Sequence, residues 1–345
     1  MAAIIATIRK IIVQRNIKNI FRLKKQMQTF ALIYSYTTFT INKLLKNNQI
    51  MKYQFLIFTL ALTVIACEPG KKKESEEANE ANNEEIIEVP VDPELVKLWE
   101  TDTVLTTCES VLYDGENSRL FVSNIDGKPL DKDGKGFISI LNLDGSIKTL
   151  KWASGLNAPK GMGISDGHLY VTDIDRIVAI DLETGKVAKE YTPEKAEFLN
   201  DITVADNAVY ASDSNLGFIH KIENDELTTV TENASGVNGL LMKDGDLLVL
   251  DKNGFRSLNL DSREFTMVND SVTGGDGLTV LNDSTYIASR WKGEIYYVTG
   301  NKAHLLLDTK AEESQTADIG LNASEKIVYV PTFFKNKVVA YEIKD

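Results

Sequence analysis

Asn200-Asp201-Ile202-Thr203-Val204, a polar break at Asp206-Asn207, then Val209-Tyr210-Ala211 running to Asp213: the chain repeats this phrase six times. The other copies open as Glu109-Ser110-Val111, Lys160-Gly161-Met162, Asn238-Gly239-Leu240, Asp276-Gly277-Leu278 and Asp318-Ile319-Gly320. Successive openers are 51, 40, 38, 38 and 42 residues apart. Six positions after each opener comes a turn former: Gly115, Asp166, Asp206, Asp244, Asn282 or Ser324. Gly, Asp and Asn accept the left-handed backbone of tight hairpins, and the β-branched and aromatic runs beside them suit strands. Third strands are readable at Arg176–Asp181, Phe218–Ile222, Phe255–Leu260, Glu294–Val298 and Val338–Ile343. Four-stranded antiparallel units at a period near 40 predict an all-β fold, a six-bladed β-propeller over residues 95–345. The sixth unit reaches Asp345 without an outer strand, and Leu95–Glu100 can supply it. Pairing the N- and C-terminal strands closes the ring and removes a sheet edge.

The chain upstream has another character. Residues 1–50 hold nine Lys or Arg and no Asp or Glu, and Met51-Lys52 then starts a new pattern with an apolar run from Phe55 to Ala66. That run is too short to span a bilayer, and with its charged start it predicts a signal peptide over 51–66. Residues 1–50 then form an upstream extension absent from the mature protein. Val64-Ile65-Ala66-Cys67 resembles a bacterial lipobox, which implies cleavage before Cys67 and its lipidation; an ordinary signal peptide with an incidental Cys is the alternative. Residues 67–94 are rich in Glu, Asn and Lys and poor in apolar groups, so they predict a disordered tether. The expected protein is an exported lipoprotein on the periplasmic or cell-surface side of a bacterial membrane, the outer membrane by preference. It would meet that membrane through its lipid anchor only.

Charge narrows the partners. Beyond Cys67 there remain 28 Lys and Arg (38 less the 10 in residues 1–67) against 50 Asp and Glu, a net charge of −22. This argues against nucleic acid, whose phosphates need clustered cations. Only Cys108 follows Cys67, so the exported domain has no internal disulfide. A closed ring of this size predicts a monomer. Asp131-Lys132-Asp133-Gly134 is a fragment of a calcium-loop pattern without its remaining ligands and reads as a solvated loop. The three histidines, His168, His220 and His304, open no unit and show no metal or dyad spacing.

Openers and second-strand ends are expected at one mouth of the central channel. The openers form one ring: Glu109, Lys160, Asn200, Asn238, Asp276 and Asp318. The strand ends form a wider one: Asn124, Asp173, Asp213, Asp251, Arg290 and Thr332. Crowded carboxylates need neutralisation. Carboxylate and amide oxygens without His or Cys suit a hard divalent cation, Ca²⁺ first, then Mg²⁺ or Mn²⁺, with Zn²⁺ less favoured. Each Asn-Gly or Asp-Gly pair taken alone is an ordinary turn signal.

Taken together, Glu109, Asn200-Asp201, Val237-Asn238-Gly239 and Gly275-Asp276-Gly277 resemble the regucalcin/gluconolactonase group of propeller lactonases. The resemblance implies a channel metal held by Glu109, Asn200, Asn238 and Asp276, with Asp276 also helping to activate water as the catalytic residue. Asp201, adjacent to Asn200, would orient ligands or substrate. Two departures stand out: Glu109-Ser110-Val111 replaces the group's Glu-Gly-Pro, and Phe198 occupies the position where its sugar-lactone members carry Arg. Lys160 and Arg290 are the cations able to hold a substrate carboxylate, or else to pair with Asp173 or Asp318. The function expected is a membrane-tethered, metal-dependent hydrolase of a small lactone or ester. The alternative is a non-catalytic propeller lipoprotein whose structural ion supports binding of a protein or glycan.

Overall fold

Strand side chains alternate between the two faces of a sheet, and in this chain both faces are apolar along the second strand of most repeats. In Asp246–Asp251, Leu247 and Val249 pack toward the preceding repeat while Leu248 and Leu250 pack toward the following one. A sheet sandwiched between two others cannot have a polar face, and a ring of such sheets follows. The structure is a computed structural model that describes residues 92–345. The extension over 1–50, the signal peptide, Cys67 and all but the last residues of the tether lie outside the described residues. Among the described residues no helix is long and apolar enough to cross a membrane.

Blade 6 opens the count because it borrows β1 (Glu94–Glu100) from the N-terminal side. Blade 1 comprises β2 (Cys108–Asp114), β3 (Arg119–Asn124), β4 (Gly136–Asn142) and β5 (Ile147–Leu156). Blade 2 comprises β6 (Pro159–Ser165), β7 (His168–Asp173), β8 (Arg176–Asp181) and β9 (Val187–Tyr191). Blade 3 comprises β10 (Leu199–Ala205), β11 (Ala208–Asp213), β12 (Phe218–Glu223) and β13 (Glu226–Thr231). Blade 4 comprises β14 (Leu240–Lys243), β15 (Asp246–Asp251), β16 (Gly254–Asn259) and β17 (Phe265–Asn269). Blade 5 comprises β18 (Leu278–Asn282), β19 (Thr285–Arg290), β20 (Glu294–Thr299) and β21 (Lys302–Asp308). Blade 6 is completed by β22 (Gly320–Asn322), β23 (Ile327–Pro331) and β24 (Val338–Lys344), in the order β1-β24-β23-β22.

The six-bladed propeller and its closure are therefore as expected, with β1 beginning one residue earlier. Glu94 pairs with Lys344 and Glu100 with Val339. The hairpin turns take left-handed backbone at Asp166, Asp206 and Asp244. Six apolar clusters lie one between each pair of neighbouring blades, including that between blades 6 and 1, where Val111 and Leu120 meet Tyr329 and Ala340.

The inner strands converge closely enough to exclude side chains at certain points. A Cβ on Gly320 of β22 would stand 2.5 Å from the carbonyl oxygen of Val111 on β2. Backbone cannot retreat there without opening the junction of the last and first blades. Gly320→Ala is expected to cost about 1–3 kcal/mol through overpacking, read as a lower urea midpoint at unchanged slope. A midpoint equal to the parent's would show that the junction yields freely.

Candidate functional site

Backbone hydrogen bonds fix which residues are equivalent around the channel. The amide of Asn238 donates to Leu250 O, that of Asp276 to Ser289 O and that of Ala317 to Pro331 O. The upper ring is therefore Glu109, Lys160, Asn200, Asn238, Asp276 and Ala317. Asp318 does not open the sixth unit, as its carboxylate had suggested; it lies one step deeper, level with Ser110 and Asp201. There Ser110 Oγ donates to Asp318 Oδ2 at 2.5 Å. Gly161, Gly239 and Gly277 fill the rest of this lower ring, where a Cβ would meet the neighbouring inner strand within 2.5 Å of backbone.

The wider ring of strand ends is a correction of a different kind. Asn124, Asp173, Asp213 and Asp251 are wholly buried and spend their oxygens or amides within the blades. Asp173 Oδ1 accepts the amides of Asn157 and Ala158, and its Oδ2 accepts Arg176. Asp213 accepts the amides of Glu197, Phe198, Asn215 and Leu216. Asp251 accepts Asn253 N–H and pairs with Arg256. These carboxylates anchor the interblade loops, satisfying donors that would otherwise be buried unpaired.

Glu109, Asp276 and Lys160 are nearly dry, at 4 %, 2 % and 1 % exposed, and Asn200 and Asp201 are also buried, whereas Asn238 and Asp318 are half-buried. Burial, and then the charge of Asp318, push the Asp276 carboxyl up to about 8. Burial alone carries Asp318 up to about 7 against the Ser110 hydrogen bond. Glu109 is held well above the usual carboxylate range by burial and by Asp276 and Asp318, with Lys160 opposing. Asp201 is likewise raised by burial and Asp318, against hydrogen bonds from the Leu240 and Ile202 amides. Burial brings Lys160 down to about 8. Four carboxylates thus share one region with a single ammonium.

Of the expected metal ligands, Asn238 and Asp276 touch directly, with Nδ2 donating to Oδ1 at 2.6 Å. Asn200 Nδ2 donates to Ser214 Oγ. Two oxygens of the set, Glu109 Oε2 and Asn238 Oδ1, are buried without a hydrogen-bond partner. Orphaned buried acceptors are uncommon and costly, and a hard cation is what oxygen acceptors of this kind satisfy. Among the described residues no three His, Cys, Asp or Glu side chains converge as a metal site by themselves. A cation here would depend on the amide oxygens of Asn200 and Asn238 as well as on Glu109 and Asp276.

The two expected substrate cations are differently placed. Lys160 Nζ donates to Ala158 O at 2.9 Å and Pro129 O at 3.2 Å and lies 4.6 Å from the Phe198 ring centroid. The long loop between β3 and β4 of blade 1, an insertion that carries Asp131-Lys132-Asp133-Gly134, thus supplies a partner to it. Arg290 faces Glu294 at 3.4 Å and Tyr296, rather than Asp173 or Asp318.

Two features escaped the sequence reading. One is the Ser110–Asp318 pair, visible only once blade 6 is in register. The other is an apolar cluster at the opener end, Ile125, Ala158, Ile174, Ala317 and Phe333, contributed by blades 1, 2 and 6. On the far side of the rings the channel holds a cavity of about 330 Å³ whose walls include Ser110, Asp201 and Asp318.

No protein-family model matches the chain, and comparison with curated proteins finds no match. Among solved structures, it is similar to a catalytically inactive virginiamycin B lyase from Staphylococcus aureus with quinupristin, at 17% identity and a TM-score of 0.51. That likeness covers 73% of this chain and 99% of the other. A streptogramin B lyase structure is similar at 16% identity and a TM-score of 0.53, over 73% of this chain and 98% of the other. At these identities the likeness is one of fold, and it does not single out the regucalcin/gluconolactonase group.

Proposed function

We propose that the protein is a divalent-metal-dependent hydrolase of a small lactone or ester, held at a bacterial membrane by a lipid on Cys67. The observation that carries this reading is the pair of orphaned oxygens, Glu109 Oε2 and Asn238 Oδ1, buried among carboxylates that repel one another. Glu109, Asn200, Asn238 and Asp276 would hold the cation, Ca²⁺ by preference. When bound, it supplies carbonyl polarisation and lowers the pKa of water. The two solved propellers described above are lyases by name, and fold alone does not carry their chemistry across.

The chain's own residues have separable tasks. Asp276 keeps Oδ1 in the Asn238 hydrogen bond, and its Oδ2, unbonded among the described residues, takes the proton of an attacking water. Asp201 positions β14 against β10 by accepting the Leu240 amide at 2.6 Å, and so aligns Asn200 with Asn238. Lys160 places positive charge beside Glu109, where developing negative charge on a substrate oxygen would be stabilised.

A second reading has its own support. The ring carboxylates are almost fully buried, and an apolar cluster lies at their end of the channel. That arrangement suits a structural ion in a binding propeller equally well. A lactone and ester hydrolysis screen, metal-free and with Ca²⁺, Mg²⁺, Mn²⁺ or Zn²⁺, separates the two. Metal-dependent turnover is expected; thermal stabilisation by metal with no turnover on the panel sinks the hydrolase and leaves the binding propeller.

A further inference from the structure

The loops that join β19 to β20 and β23 to β24 both leave the opener end of the ring, and each carries an aromatic–lysine pair: Trp291-Lys292 and Phe334-Lys335. Trp291 is 41 % and Phe334 57 % exposed. Between them stands Phe333, 4 % exposed, whose ring meets Trp291 at 5.5 Å and Phe334 at 4.7 Å, both nearly edge to face. Exposed aromatics on loops are ordinarily mobile, but these two rest on an anchored ring.

The anchoring has a conformational cost. Phe333 adopts a left-handed φ of 49°, rare for a bulky residue, and Asn336 follows at 59°. Thr332 fastens the base of the loop by hydrogen bonds to and from Lys337, and Asn336 Oδ1 accepts the amide of Thr107 from blade 1. Phe334 N–H reaches Gln315 Oε1. A strained backbone that holds apolar rings out to water needs a reason, and preorganisation for a ligand is one.

The space the rings bound is a pocket of about 530 Å³, which is the size of a small-molecule site. Its rim is positive in a domain that is otherwise strongly acidic. Lys292 and Lys335 form no ion pair among the described residues, whereas Lys310 is engaged by Glu294 and Asp308. One carboxylate, Glu313, also lines the pocket and leaves the balance positive.

We infer that this pocket binds a flat aromatic carboxylate, its ring laid against the exposed surface of Trp291 and Phe334, which meet edge to face at 6.1 Å, and its anion at Lys292 and Lys335. Its lining shares no residue with the proposed ligand set, and the inference does not depend on the hydrolase reading. A sheet of anionic lipid is the competing occupant. The Glu313 carboxylate, which a broad sheet of anionic headgroups would have to cover, favours a single small anion over a bilayer surface.

Isothermal titration of the purified protein with 2-naphthoate, 2-naphthalenemethanol and hexanoate tests this. Saturable binding of naphthoate is expected, with the neutral alcohol and the aliphatic acid each weaker by about tenfold or more. Trp291→Ala and the double variant Lys292→Gln/Lys335→Gln should each lose about tenfold in naphthoate affinity with unchanged melting temperature. Absence of saturable binding at millimolar naphthoate overturns the inference, as does equal affinity for acid and alcohol or undiminished binding by both variants. Flotation with phosphatidylglycerol but not phosphatidylcholine vesicles, without naphthoate binding, overturns it in favour of a lipid surface.

Discussion

Asp276→Ala is expected to lower turnover of any lactone or ester substrate by about a thousandfold or more, while the propeller stays folded. Asp276 is both the proposed base and one of two carboxylates in the proposed ligand set, so the change removes a ligand and a proton acceptor together. It also leaves Asn238 Nδ2 without its acceptor, a loss of about 1–3 kcal/mol. The isosteric Asp276→Asn keeps that hydrogen bond and separates the effects. Near pH 3.5 the parent carboxyl is protonated when folded and mostly protonated when unfolded, and the Asn variant should come close to it in metal-free stability. Near pH 9 the parent carries a buried charge beside Asp318, and the variant should be the more stable of the two. Circular dichroism would report the intact fold. Full activity in Asp276→Ala removes the assignment, and equal metal-free stability of parent and Asn variant at both pH values removes the electrostatic account.

The second large effect is a fall in metal-free stability as pH rises from 4 to 8. Asp276 and Asp318 titrate at about 8 and about 7 when folded, against 3.8 for an unperturbed Asp. Between pH 4 and these values the folded state holds protons that the unfolded state has released. Stability therefore falls as pH rises through that window, by about 1.4 kcal/mol per pH unit for each group. Lys160 acts in the opposite sense: it loses its proton at about 8 when folded but near 10.5 when unfolded. Above pH 8 Lys160 therefore offsets part of the fall, while Glu109 and Asp201, also raised by burial, extend it. Carboxylates held low by surface partners, such as Glu100 at about 2, complete their contribution below pH 5. Urea titrations in chelator at pH 5, 7 and 8 would trace the curve, and added Ca²⁺ should offset the fall. Metal-free stability that climbs steadily from pH 5 to 8 would refute the clustering of these carboxylates.

How far the sequence could be read depended on the kind of information each residue carries. Turn chemistry at Asp166, Asp206 and Asp244 and the apolar runs after them are local properties, and they placed blades and strands to within a residue or so. Ring membership is not local. Asp318 resembles an opener by type, yet the Ala317 amide makes the hydrogen bond that defines the position. Asp173, Asp213 and Asp251 looked like a channel ring because they end strands at the right mouth. Side-chain direction sends them instead into the loops, where unpaired amides were waiting. Lys160 was legible as a cation, but the carbonyl of Pro129 that holds it comes from an insertion with no counterpart in the other repeats. Phe333 was invisible for a related reason, since its role rests on a left-handed backbone and on contacts across three blades.

The pairing of β1 with β24 bears on the order of events during synthesis. Glu94 waits for Lys344, so nearly all of the described chain must emerge before the ring can shut. Until then β24's partner edge and the flank of blade 1 are both open, and unpaired edges of this kind invite association with other chains. A ribosome that stops short by even the last strand yields a molecule with two raw flanks rather than a slightly smaller propeller. Closure therefore works as a completeness check: the edges of blades 6 and 1 are hidden only once β24 has been made and has paired with β1.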